Sequence, residues 1–280
     1  MYQRLLSLLL IIVMMLLTAQ QVIAGELSDS KVVPTSSQEA SAYVTDKDNV
    51  ILSDEIPEAV QAMLADEEAE QSPQSERTAY LTFDDGPSDN TEKILDILRE
   101  EDIKATFFVV YREGYADTYR RIVEEGHSIG LHSYTHDYEQ MYVSEEAYYI
   151  DLFRIEAYVE EVTGAQTRLI RFPGGSNCAA GDEMCEGIMA RLRDKVHSVG
   201  YEYYDWNIHS GDVAAAYVER DVIVGNVKRQ VTGQPEITVL MHDSPAKMTT
   251  VEALPEIIAY LREQGYACDR ITEAAEPVHF

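Results

Sequence analysis

Basic residues are scarce in this chain, with 22 Lys plus Arg against 50 Asp plus Glu and a formal net charge of −28 at pH 7. That balance argues against nucleic acid and anionic lipid as electrostatic partners, because phosphate recognition runs on clustered cations. A neutral polymer suits it better than a polyanion. Cysteine is scarce too: Cys178, Cys185 and Cys268 follow no zinc-binding spacing. Cys178 and Cys185 stand seven apart with Gly181 between them, so they either close a small loop in an oxidising compartment or stay as thiols, with Cys268 the odd one. No cysteine stands directly after the N-terminal apolar run Leu5–Leu17, which argues against a lipoprotein, and no internal repeat is visible. Tryptophan occurs once, at Trp206.

What is present begins with a targeting pattern. Met1–Arg4 carries one positive charge, and Leu5–Leu17 is apolar except for Ser7. Val22-Ile23-Ala24 then offers an approach to a signal-peptidase site. The run is shorter than the about 20 residues a membrane-spanning helix needs. The reading is a signal peptide over 1–24, with an uncleaved anchor as the alternative; both place the remainder outside the cytoplasm. Residues 25–77 hold thirteen acidic and three basic side chains and one aromatic, Tyr43. Such a segment buries too little apolar surface to fold alone and is expected to be a disordered acidic linker.

From residue 78 the texture changes. Short apolar runs at Ala79–Phe83, Ala105–Val110, Ser128–Leu131, Leu169–Phe172, Tyr201–Tyr204, Ile237–Met241 and near Tyr266 read as strands. Helical patterns at Thr91–Glu100, Tyr115–Glu125, Ser144–Val162, Met184–Val199, Ala216–Val231 and Val251–Gln264 lie between them. This alternation predicts an α/β fold with a parallel sheet. Its regularity and length favour a closed barrel of about seven strands over 78–280, and barrel chemistry sits at the C-terminal strand ends.

That rule selects the candidates. The first strand ends in Thr82-Phe83-Asp84-Asp85-Gly86-Pro87, the third in His132-Ser133-Tyr134-Thr135-His136, and the fourth in Arg171-Phe172-Pro173-Gly174-Gly175-Ser176. The fifth ends in Asp205-Trp206-Asn207 and the sixth in Leu240-Met241-His242. Adjacent aspartates leaving a strand point apart, so one can hold a cation while the other serves as a base; Asp before Gly-Pro is also an ordinary turn or helix cap. His132 and His136 are four apart, and on a helical turn both rings would face one metal. Imidazole and carboxylate together suit zinc or cobalt, leaving open positions for water and substrate. Arg171 can fix a carboxylate or form a plain ion pair. Gly174-Gly175 offers backbone N–H groups to an oxyanion, or is simply a loop. His242 is a candidate general acid, and Asp205 either orients it or caps a turn. Trp206 walls an acetyl or sugar site, or belongs to the core.

Together these motifs resemble the polysaccharide deacetylases of carbohydrate esterase family four, over about residues 78–270. The resemblance rests on Thr-Phe-Asp-Asp-Gly-Pro at 82–87, His-Ser-x-x-His at 132–136, Arg-x-Pro at 171–173, Asp-Trp at 205–206 and Leu-x-His at 240–242, all in the family's order. It implies a distorted (β/α) barrel with fewer than eight regular repeats. It implies Asp84 as general base, Asp85, His132 and His136 as ligands of a divalent metal, usually zinc and sometimes cobalt, and Arg171 as the group that positions Asp84. It further implies His242 as general acid supported by Asp205, with Leu240 and Trp206 shaping the acetyl pocket and the Gly174 N–H at the oxyanion. The chain departs from the pattern where many relatives carry Tyr at Gly174, and where Glu202 stands in place of an Asp often found three residues before Asp205; Asp212 is then an alternative carboxylate for His242.

The implied activity is metal-dependent removal of N-acetyl groups from a carbohydrate polymer. The secreted bacterial members it resembles point to N-acetylglucosamine of peptidoglycan in the cell wall. Rival readings are a chitooligosaccharide deacetylase, an acetylxylan O-esterase and an inactive wall-binding module. A two-carboxylate glycosidase is disfavoured because Asp84 and Asp85 share one turn and no second carboxylate pairs across the site.

Overall fold

The computed structural model describes residues 77–280. The expected signal segment and all of the linker except Arg77 lie outside the described residues. Arg77 itself opens the first strand.

Three strands carry the centre of the sheet: β1 Arg77–Asp84, β2 Thr106–Val110 and β3 Ser128–Ser133. β2 and β3 are buried along their whole length, and β1 over its second half. Near-continuous burial is what a parallel sheet covered on both faces demands, and it explains why these strands read as unbroken apolar runs. β4 Leu169–Ile170, β5 Glu202–Tyr203, β6 Ile208–His209, β7 Glu236–His242 and β8 Tyr266–Asp269 complete the set. The order is β5-β4-β3-β2-β1-β7-β6, with every pairing parallel. One side of β1 is shared. Arg77–Tyr80 pairs with β8 and Thr82–Asp84 pairs with β2.

The expectation of a closed barrel needs correction. Among the described residues β5 and β6 do not pair, so the sheet curls into an incomplete barrel. The seam lies where β4, β5 and β6 are two residues long. Strands that short supply too few ladder hydrogen bonds to carry closure around the ring. β6 escaped the sequence reading for the same reason, since two residues cannot display a period.

The helices follow the apolar patterns with shifted ends. α1 Asp89–Glu100 starts two residues earlier than expected. Ser88 caps it: its Oγ accepts from Asn90 N at 3.0 Å, and Thr91 Oγ1 accepts from Ser88 N at 2.8 Å. Ile94, Leu95 and Leu98 face the sheet, each worth about 1.5–3 kcal/mol on full burial. α2 Ala116–Glu124, α3 Tyr138–Met141 and α4 Glu145–Thr163 follow. The helix expected over Met184–Val199 is α6 Ile188–Val196 followed by a 3₁₀ turn, and a separate short helix, α5 Ala179–Met184, precedes it. They separate at Gly187, whose φ of 69° no helix accommodates. α7 Arg220–Gln230 and α8 Met248–Glu263 close the fold. All three cysteines are free thiols.

Candidate active site

β1, β3 and β7 end at the same rim. β1 pairs with β7 through Asp84↔His242, and with β2 through Asp84↔Phe108. The turn after Asp84 is bracketed from both sides: Val110 N donates to Gly86 O at 2.9 Å, and Asp243 N donates to Asp84 O at 3.1 Å. Gly86 is required here, because a Cβ at that position would fall 2.1 Å from Asp243 Oδ2. The Asp243 carboxyl is buried behind the turn; burial, with the charges of Asp85 and Asp84, pushes its pKa up to about 7, against a hydrogen bond from Thr91.

Asp85, His132 and His136 converge. One ligand atom from each lies within 4.8 Å of the others. His136 Nε2 is 3.1 Å and His132 Nε2 3.6 Å from Asp85 Oδ1, and that oxygen is buried without a hydrogen-bond partner. A buried carboxylate oxygen facing two imidazole nitrogens and bonded to neither fits a shared divalent cation. The His132 Nδ1–H donates to the Arg171 carbonyl at 2.8 Å, which turns the Nε2 lone pair toward the cluster. Burial acts to raise the Asp85 pKa, but His136, His132 and His242 prevail and hold it well below the usual carboxylate range.

The expectation of a helical His pair is corrected. His132 belongs to β3, and His136 lies in the turn beyond it with φ at +52°. Asp85 is likewise left-handed, at φ +75°. Such backbones cost on the order of 1–3 kcal/mol each, although Asp and His tolerate them better than most residues. Two of the three putting their backbone there is strain concentrated on the cluster. Asp151 of α4 offsets it: its carboxylate accepts from Ser133 Oγ at 2.7 Å, Tyr134 N at 2.6 Å, Thr135 N at 2.9 Å and Thr135 Oγ1 at 2.6 Å. His136 N donates to Ser133 Oγ at 2.7 Å. Asp151 was missed in the sequence, where a mid-helix aspartate carries no signal.

Arg171 is fully buried and fully engaged. It donates to Asp84 Oδ1 at 2.9 Å, Thr82 Oγ1 at 2.7 Å, Tyr204 O at 2.7 Å and Asp205 O at 3.0 Å, and it lies 4.2 Å over the Phe108 ring. A buried guanidinium with this many acceptors is a fixed cation. The other Asp84 oxygen, Oδ2, faces the cluster 3.9 Å from His132 Nε2.

The surroundings of His242 differ from expectation. The carboxylate that reaches His242 is Asp212, from the loop after β6. Its Oδ1 accepts from His242 Nδ1–H at 2.8 Å, and its Oδ2 from His242 N at 2.8 Å and Thr250 Oγ1 at 2.9 Å. Lys247 Nζ donates to the Asp212 carbonyl at 2.7 Å. Burial would lower the His242 pKa, but Asp212, with Asp84 and Asp85, pushes it up to about 9. The Asp212 contact thus favours the imidazolium form of His242 and leaves Nε2 on the cavity side. Asp205, expected in this role, instead accepts from Ser176 N at 2.8 Å and Ser176 Oγ at 2.6 Å.

Asp84, Asp85, His132, His136, Gly174, Trp206, Leu240 and His242 line one cavity of about 330 Å³, joined by Tyr138 and Val213, which the sequence reading did not select. Arg171 and Asp205 stand behind its wall. Gly174 has φ +82°, and a Cβ there would meet Cys178 Sγ at 2.6 Å and Tyr138 Oη at 2.8 Å. Tyr138 thus occupies space that a side chain at 174 would need, which accounts for glycine at this position.

The chain is similar to known proteins in sequence and in fold. The sequence model of the family described as polysaccharide deacetylase matches residues 71–204. A putative polysaccharide deacetylase, YheN, of Bacillus subtilis is 32% identical over 214 residues, covering 73% of this chain and 70% of the relative. A peptidoglycan-N-acetylglucosamine deacetylase of Bacillus cereus is 32% identical over 216 residues, covering 73% of each. Among solved structures, the catalytic domain of peptidoglycan N-acetylglucosamine deacetylase from Eubacterium rectale superposes with a TM-score of 0.70 at 35% identity, covering 73% of this chain and 92% of that one.

Proposed function

The chain belongs to the polysaccharide deacetylase family, and we propose that it hydrolyses N-acetyl groups on a carbohydrate polymer, with N-acetylglucosamine of peptidoglycan as first choice. One observation carries the reading: a guanidinium-clamped carboxylate, a three-ligand cluster and a protonated histidine all face one cavity. Asp85, His132 and His136 would hold a divalent metal, zinc first and cobalt second, whose chemistry is Lewis-acid polarisation of a carbonyl and acidification of water. Asp84 takes the proton of the attacking water, its position fixed by Arg171. The Gly174 amide stabilises the developing oxyanion, and Leu240 and Trp206 enclose the acetyl methyl. His242, kept charged by Asp212, gives its proton to the departing amine. The products are acetate and a free amino sugar.

The proposal extends to organisation, with 1–24 directing the chain out of the cytoplasm, 25–77 as a spacer and 78–280 as the catalytic domain. A neutral or zwitterionic wall polymer remains compatible with the net charge of −28.

The test is acetate release from peptidoglycan, chitooligosaccharides and acetylated xylan, with and without chelator and with added zinc or cobalt. Chelator-sensitive release from peptidoglycan supports the reading. Release from xylan alone selects the O-esterase, and no release under any metal selects the inactive wall-binding module.

A further inference from the structure

We infer that residues Val278–Phe280 form a strap that positions the catalytic rim across the open seam of the sheet. β5 and β6 do not pair, and the chain after β5 turns to the strap instead. Tyr204 N still donates to Ile170 O of β4 at 3.0 Å, but the next amide, Asp205 N, donates to Val278 O at 2.8 Å. The His279 ring stacks on Tyr203 at 3.8 Å with 15° between planes, and its Nε2 lies 3.0 Å from Glu202 Oε1. Phe280 N donates to Asp205 Oδ2 at 3.0 Å, and the Phe280 ring meets Trp206 edge to face at 4.9 Å.

Asp205 is the point where strap and site join. It is 1% exposed and engaged at every polar atom. Its amide and one carboxylate oxygen hold the strap, its carboxylate holds Ser176 after Gly174-Gly175, and its carbonyl accepts from Arg171, which clamps Asp84. A Cβ on Gly175 would meet Trp206 Cη2 at 3.0 Å and Phe280 Cε2 at 3.3 Å, so loop, tryptophan and strap are packed together. The strap forms no part of the cavity lining, which makes Phe280 and His279 positioning residues. Phe280 backs Trp206 and Gly175, His279 packs on Tyr203, and the strap backbone holds Asp205, whose carbonyl lies against Arg171. An otherwise exposed Phe280, 46% accessible, acquires a purpose in this arrangement.

The activity arm of the test rests on the proposed deacetylation; a second arm does not. Trp206 is the sole tryptophan of the chain, so its emission and its quenching by acrylamide read the wall directly. In the full chain, Phe280→Ala is expected to raise the Trp206 quenching constant about two-fold and lower kcat for acetate release from chitooligosaccharide about ten-fold with KM little changed, as a small misplacement of positioned groups does. Phe280→Tyr restores both. Phe280→Leu, which keeps bulk, serves if the alanine variant loses its far-UV circular dichroism, and gives intermediate values. Unchanged quenching and kcat in a folded Phe280→Ala variant overturn the strap, as does a lowered Tm with both readouts unmoved. If the wild type releases no acetate from any polymer, the proposed function fails, and the quenching arm alone decides on the strap.

Discussion

The two halves of the catalytic rim are built on different principles. The half proposed to hold the metal, here the metal half, comes from the ends of β1 and β3, strands of eight and six residues with a neighbour on each side. The half proposed to supply the acid, here the acid half, comes from loops around β5 and β6, two residues each, and from the end of β7. In the first half Asp84 and His132 stand in the strand ladder, and Asp85 and His136 follow within three residues of a strand end, so the motif stays close to the ladder that sets its direction. In the second, the side chain that matters is delivered by a loop whose path the ladder does not set. Asp205 lies two residues past β5 yet faces Ser176; Asp212, seven residues on, is the partner of His242.

The largest expected effect breaks the metal half. His132→Ala should remove a ligand and the contact with Arg171 O together, lowering both metal content and acetate release, the latter by about 10³-fold or more. Metal analysis and a rate on one sample check it.

The next separates the two acid-half carboxylates. Asp212 raises the His242 pKa, so removing it must lower that pKa. The alkaline limb of kcat/KM, expected near 9, should move down toward about 6.5 in Asp212→Asn, with a loss at its optimum of about 10²-fold. Asp205→Asn should leave the limb in place, since its carboxylate touches Ser176 and Phe280 rather than His242. A pH–rate profile of both variants decides; equal shifts would erase the distinction between them.

The smallest concerns Asp151, which holds the His132–His136 turn without touching either ring. Asp151→Ala should weaken metal binding about ten-fold, as loss of a supporting carboxylate typically does, while kcat at saturating metal changes less. Competitive titration with a chromophoric chelator measures it.

Legibility follows the same division. The long strands β1, β2, β3 and β7 stand out as apolar runs between Ala79 and Met241, and the strand-end rule then finds Asp84, Asp85, His132 and His136. Seam and strap were invisible, because β6 is two residues long and Val278–Phe280 pairs through its backbone. Asp151 was hidden because a helix-interior aspartate looks solvent-facing until the turn it serves is seen. For His136, spacing of four suggested a helix, whereas a left-handed turn after β3 swings the ring back toward Asp85.

Asp84→Asn tests the central claim most directly, because it removes the base while sparing all three ligands. With metal content and acetate release from peptidoglycan measured on the same preparation, the variant should bind one divalent ion as the wild type does and release no acetate above background. A variant that keeps near-normal release would contradict the assignment of Asp84 as the group that activates water.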